Sequence, residues 1–195
     1  MAAKRKLQKE QTRQKIIAAA TRVYTEQGFS APTANIAREA QVSHGSVFVH
    51  FPTADSLLAC VLDEFSLDMK NELHSLSASG GDIVKLLNMH IDILIKHERF
   101  YKRLITEAVH LPDDARDDFI VIQSTMSIHF LQALEGDIGA GKIKPIPLHM
   151  LFNTWLGLIH YYLLNGRLFM PGGATSVLQY HKISLIECFL ALIKQ

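Results

Sequence analysis

The chain has 195 residues, 48% hydrophobic and 20% charged, with a formal net charge of +1. That balance fits a folded globular protein and excludes a disordered chain, which is poorer in apolar residues and richer in net charge. Its two cysteines, Cys60 and Cys188, lack paired spacing, which excludes a disulfide framework or a cysteine zinc cluster and fits a reducing cytoplasm. The charge is uneven: the first 50 residues hold eight of the 20 Lys and Arg but only three of the 19 Asp and Glu, so attraction for a polyanion is concentrated at the front.

The amino terminus, MAAKRKLQKEQTRQ, is basic and polar and lacks the apolar stretch of an export signal. We read it as a flexible arm whose Lys4, Arg5, Lys6 and Lys9 can lie along phosphates or reach a minor groove. The same composition also serves plain solubility.

Helical periodicity then begins. Ile16, Ala20, Val23 and Tyr24 put one apolar face on a helix predicted over about residues 12–27. Gly28 is placed as its left-handed cap, with Phe29 folding back on Tyr24.

Two short segments follow, about 33–40 and 44–50, each too brief to be stable alone. Together they read TANIAREAQVSHGSVFVHFP, the pattern of two helices joined by a tight turn at 41–43. Thr33 is expected to cap the first helix, and Ile36, Ala37 and Ala40 give it a small-residue inner face. Ser43 is the N-cap of the second, with Val42 and Val47 as a hydrophobic staple.

Val47 and Phe51, four apart, point inward, which turns His44, Gly45, Ser46, Val49 and His50 outward as a face able to enter a major groove. Gly45 inside a helix costs about 1 kcal/mol relative to alanine, so close approach to DNA or to another helix should compensate.

After Pro52 a long amphipathic helix is predicted over about 53–76, carrying Leu57, Leu58, Val61, Leu62, Phe65 and Met69. Breakers at 77–81, 112–114, 139–147 and 171–175 separate further helices at about 82–96, 99–110, 114–134, 148–164 and 183–193. No stretch alternates like a strand, so the architecture is expected to be all-α.

The marks at the front of the chain, TRQKII at 12–17, Gly28-Phe29, Thr33 with Ile36-Ala37, Val42-Ser43, Gly45 and His50-Phe51-Pro52 leading to Leu57-Leu58, resemble the TetR family of bacterial regulators over roughly residues 12–62. The resemblance implies a three-helix DNA-binding helix-turn-helix domain (1–52) and a larger helical effector-binding and dimerisation domain (53–195) joined through the long helix. It implies that Thr33, Ser43, Ser46 and His50 touch DNA. Phe48 stands where the family usually has a phosphate-contacting tyrosine, and His44 and Ala54 stand where lysine is common. The missing charge is expected from the basic arm, with Arg13 and Arg38 adding contacts.

The helices at 148–164 and 183–193 are apolar nearly all round and call for a partner to cover them. We expect an isologous four-helix homodimer interface through Leu151, Leu158, Tyr162, Leu185, Phe189 and Leu192, which is also the arrangement usual in TetR-type regulators. Two reading heads imply a palindromic operator with half-sites on the order of 34 Å apart.

The middle helices are expected to enclose a small apolar or aromatic effector. Candidate liners are Phe100, Met126, Phe130, Phe152, Trp155 and Tyr161, with Glu107, His129, Asn153 and His160 as polar contacts. Release of a repressor by that effector is the expected mode of action.

Other chemistries fail on single residues. GDIGAGK at 136–142 has the glycines and lysine of a phosphate loop, but Ile143 replaces the magnesium-holding Ser or Thr, and the stretch does not follow a strand. His97-Glu98 begins a zinc-protease motif that Tyr101 breaks, and the pairs His90 with His97 and Glu107 with His110 are weak as metal sites. No nucleophile stands beside a base, so neither an enzyme nor a cofactor nor a membrane partner is expected. The competing reading is an all-α ligand-binding or interaction protein with a degenerate helix-turn-helix.

Overall fold

The computed structural model describes residues 2–78, 82–172 and 175–195. Among the described residues ten α-helices follow one another: α1 (Ala2–Gln27), α2 (Thr33–Glu39), α3 (His44–His50), α4 (Ala54–Ala78), α5 (Ile83–Lys96), α6 (Glu98–Glu107), α7 (Asp113–Gly139), α8 (Leu148–Leu164), α9 (Gly166–Phe169) and α10 (Val177–Ile193), with a 3-10 turn at Ala108–His110. Among the described residues there is no strand, only one isolated bridge between Ile143 and Lys194. No single described helix is long and apolar enough to cross a membrane. The all-α expectation is met.

The chain divides into two compact units. The first comprises Met1–Ser66 and Thr106–Phe119, the second Leu67–Ile105 and Ile120–Gln195. In the first, α1 packs on α2 and α2 on α3. Ile16, Ala20, Val23 and Tyr24 of α1, Ile36 and Ala37 of α2, Val47 of α3 and Phe51 just after it are all buried. Two seven-residue helices cannot hold themselves, so this shared core is what keeps them helical.

The second unit is built on longer helices, with α10 packed against α5 and α8. Its centre is aromatic: Phe130 lies 5.4 Å from Phe152 and 5.9 Å from Phe189, and Trp155 lies 5.2 Å from Phe189, all as tilted pairs. Trp155 Nε1 donates to His90 Nδ1 at 3.0 Å, which satisfies the indole and leaves His90 neutral. Burial, with His160 adding to it, pushes the His90 pKa down to about 3. The amino terminus of α10 is capped by Ser176, whose hydroxyl also bonds Glu98, and the Glu98 carboxylate accepts from the Val177 N–H at 3.1 Å. An anion there suits the positive end of the helix dipole.

One expectation fails at the front. The basic arm is not a flexible tail: α1 begins at Ala2, ten residues before the predicted start. The segment contains no glycine or proline and is rich in Lys, Gln and Arg, all good helix formers. Local pairs support it, with Gln14 donating to Glu10 at 3.1 Å and the Thr12 hydroxyl to the Gln8 carbonyl at 2.9 Å.

Candidate nucleic-acid interface

Three turns aim the second short helix. Gly28 ends α1 at φ +93°, a left-handed conformation open to glycine, and its N–H reaches the Tyr24 carbonyl at 2.9 Å. Phe29 folds back to 5.6 Å from the Tyr24 ring, as its position after the glycine predicts. Between α2 and α3, Gln41 takes φ +56°, and the Val42 N–H closes onto the Ala37 carbonyl at 3.0 Å. Ser43 then caps α3: its Oγ accepts from the Ser46 N–H at 3.1 Å and stands 2.8 Å from the Ser46 hydroxyl.

Thr33 is a correction. Pro32 occupies the cap position of α2 without a side-chain bond, and Thr33 is the first helical residue. Its hydroxyl lies 2.8 Å from His44 Nε2, so it links the start of α2 to the start of α3. His44 in turn meets the edge of Phe48, ring centroids 5.1 Å apart.

Behind this pair, Val47 and Phe51 are buried. In front, Ser43, His44, Gly45, Phe48 and Val49 are exposed, Val49 at 72%, with Ser46 and His50 half-buried. Gly45 is open on its outer side: a Cβ there would meet nothing within 4 Å. Packing against another helix of this chain therefore does not explain the glycine.

The helical start of α1 supplies the charge. A groove of about 340 Å³ is lined by Arg5, Gln8, Lys9 and Thr12 from α1 and by Ser46, Val49 and His50 from α3. Lys4 and Lys6 are exposed on the same turns. His50 Nδ1 is buried without a hydrogen-bond partner among the described residues. Burial first, then the positive charges of Lys9 and Arg13, hold the His50 pKa below its ordinary value against the opposing pull of Glu10. A neutral imidazole beside two cations is an anion-facing arrangement with proton-accepting capacity in reserve. Arg13 itself lies over the Phe51 ring at 5.2 Å and donates to the Cys60 sulfur at 3.0 Å, so it braces α3 from behind. Gln8 and Thr12 are groove residues that sequence reasoning missed, because nothing marked the arm as a helix with a face.

Two other predicted sets are redrawn. Of the effector liners, Phe130, Phe152 and Trp155 fill the aromatic core by packing on Phe189, and Phe100 and Met126 are also buried. Asn153 and Tyr161 face outward. His160 pairs with the Tyr101 hydroxyl at 2.8 Å, and its burial pushes its pKa down. His129 is half-buried. Glu107 belongs to the first unit, where its Oε2 accepts from the Phe29 N–H at 2.9 Å.

Of the dimer set, Leu151, Leu185 and Phe189 are closed inside the chain's own core at 1%, 2% and 0% exposure, which removes them from any partner-facing surface. Leu158 and Tyr162 are half-buried, and Leu192 is exposed. Helices apolar all round could be covered on one side within the chain, which the sequence argument had discounted.

A bare helix face set by a capped turn, flanked by cations and backed by its own core, has the form of a helix-turn-helix nucleic-acid-binding unit. Residues 16–61 match the bacterial regulatory proteins of the tetR family.

It is 35% identical over 89 residues, 45% of this chain and 47% of the relative, to an HTH-type transcriptional repressor of Mycobacterium tuberculosis and equally to an HTH-type transcriptional regulator of Mycobacterium bovis. The match thus spans about half the length of these curated relatives. A TetR-family regulator from Agrobacterium tumefaciens shares the fold at TM-score 0.76 and 15% identity, over 96% of this chain and 100% of that one. So does a ketosteroid transcriptional regulator of Mycobacterium tuberculosis, at TM-score 0.74 and 16% identity, over 94% and 95%. A transcriptional regulator from Saccharomonospora viridis, solved with choline, shares it at TM-score 0.76 and 16% identity, over 95% and 99%.

Proposed function

We propose that this chain is a cytoplasmic, non-catalytic homodimeric repressor that reads a palindromic operator in double-stranded DNA and is released by a small apolar or aromatic effector. Residues 1–52 form its DNA-binding domain and 53–195 its effector and dimer domain. The outward face of α3 carries the reading: Gly45, with open space where its side chain would be, lets a duplex backbone come closer than any other residue type allows. Thr33, Ser43, His44, Ser46, Val49 and His50 make the remaining contacts in this reading. Phe48 contributes an apolar contact and no phosphate hydrogen bond.

Arg5 and Lys9, with Lys4 and Lys6, supply the phosphate contacts that the reading helix itself lacks. The homodimer is supported by the apolar side chains left bare on α8 and α10: Tyr161, Leu164, Tyr180, Ile183 and Leu192 are each 48% to 70% exposed. Small organic effectors fit the fold, as the ketosteroid and choline descriptions of its structural neighbours illustrate.

The test is a mobility-shift titration of the full chain against its own upstream DNA at two salt concentrations. Binding should weaken steeply with salt, and the double variant Arg5→Ala, Lys9→Ala should lower the log–log slope by about 1.8, at about 0.9 per lost phosphate contact. Absent or salt-insensitive binding would overturn the reading.

A further inference from the structure

The first unit is made of two stretches of chain, and the second stretch, Thr106–Phe119, arrives from far along the sequence. It is anchored there by Leu111, Ala115 and Phe119, all buried. It also carries Glu107, at the end of α6, to the turn between α1 and α2. The Phe29 N–H lies beyond the last turn of α1, and Glu107 Oε2 accepts from it at 2.9 Å across 78 residues of sequence.

The carboxylate also occupies the space that a side chain on Gly28 would fill. A Cβ there would stand 2.8 Å and 3.1 Å from the two Glu107 oxygens. Gly28 thus does two jobs: it takes φ +93°, and it leaves room for an acid from elsewhere. Local bonds also hold the turn, with the Ala31 N–H on the Gly28 carbonyl at 3.2 Å and Asn35 Nδ2 on Gln27 Oε1 at 2.7 Å.

This turn sets the direction in which α2 leaves α1, and α3 follows α2 through a tight connection. We propose that Glu107 is a positioning residue for DNA reading, a latch by which the end of α6 holds the α1–α2 turn and, through it, the attitude of α3. Glu107 and Phe29 both belong to the first unit, so the latch acts wholly within it. The proposal rests on the DNA-binding reading above and adds which residue positions the reading helix. Glu107 touches no DNA in this scheme. It works by keeping a charged acceptor on one backbone N–H.

The experiment compares wild type, Glu107→Ala and Glu107→Gln in the full chain by operator affinity and by amide exchange at Phe29. Glu107→Ala should weaken operator binding about tenfold and expose the Phe29 amide to exchange. Glu107→Gln keeps a carbonyl acceptor of the same reach and should recover most of both. Operator affinity is measured well below each variant's melting temperature, where a loss of global stability alone leaves it unchanged.

Wild-type affinity in Glu107→Ala overturns the proposal, as does an equal loss in both variants. Should Glu107→Ala lose its helical circular dichroism, Phe29 in the wild type decides: a protected amide supports the latch and an unprotected one overturns it. Failure of the wild type itself to bind operator is a different result, which takes down the regulator reading and this one with it.

Discussion

The two units of this chain close their cores by opposite means. In the first, the residues behind α3 are mostly aliphatic and small, among them Ile16, Ala20, Ile36, Ala37 and Val47, and the helices they hold are seven residues long. Their direction comes from turns: Gly28 at φ +93°, Gln41 at φ +56° and the Ser43 cap. In the second, 17-residue helices meet over Phe130, Phe152, Trp155 and Phe189, and bulk burial sets their arrangement. A surface that must meet a partner in one orientation is specified by hydrogen-bonded turns. A unit that must chiefly persist is specified by volume.

The largest test of that contrast is Trp155→Ala. It removes the centre of the aromatic core and orphans His90 Nδ1, so chemical denaturation should show a loss of about 3–5 kcal/mol. A loss below about 1 kcal/mol would break the claim that volume specifies the second unit.

Next in size is a pH effect at His90. Its folded pKa is about 3 against an ordinary 6.5, so between those values the unfolded chain takes up a proton that the folded chain refuses. Stability from this group is therefore complete above about pH 6.5 and falls on acidification, at up to about 1.4 kcal/mol per pH unit. Other groups titrate in the same range, so the measurement is the difference in unfolding free energy between wild type and His90→Gln from pH 7 to 5. The glutamine carbonyl still accepts from Trp155, and its curve should be the flatter one. Parallel curves would show that His90 is not held neutral.

The third test separates reading from folding in the first unit. Gly45→Ala meets nothing in the chain and should stabilise the protein by about 0.5–1 kcal/mol while weakening operator binding. An alanine variant that is more stable and binds as well would remove the close-approach argument.

The smallest concerns His50, whose pKa is lowered by burial and by Lys9 and Arg13. A phosphate beside it raises that pKa, so operator binding takes up a proton and should tighten by about threefold from pH 8 to 6. His50→Gln should abolish the trend, and a trend that survives it belongs to another group.

What the sequence disclosed follows the same division. Gly28 as a cap, Phe29 on Tyr24, Ser43 as an N-cap and the inward pair Val47 and Phe51 were all legible, because each is decided within five residues. The bond of Thr33 to His44 and the hold of Glu107 on Phe29 were not, since both depend on residues that only folding brings together. The long α1 was misread because polar helix formers without an apolar stripe look like a tail. Leu151, Leu185 and Phe189 were assigned to a partner because periodicity shows that a helix face is apolar without showing what covers it.

The open flank of Gly45 has an evolutionary reading. Positions 45 and 49 face outward without supporting the scaffold, so the residues there can drift at little cost to folding. A duplicated copy of such a protein could be re-addressed to a new stretch of genome by changes at these few positions, while the capped turns behind them stay as they are.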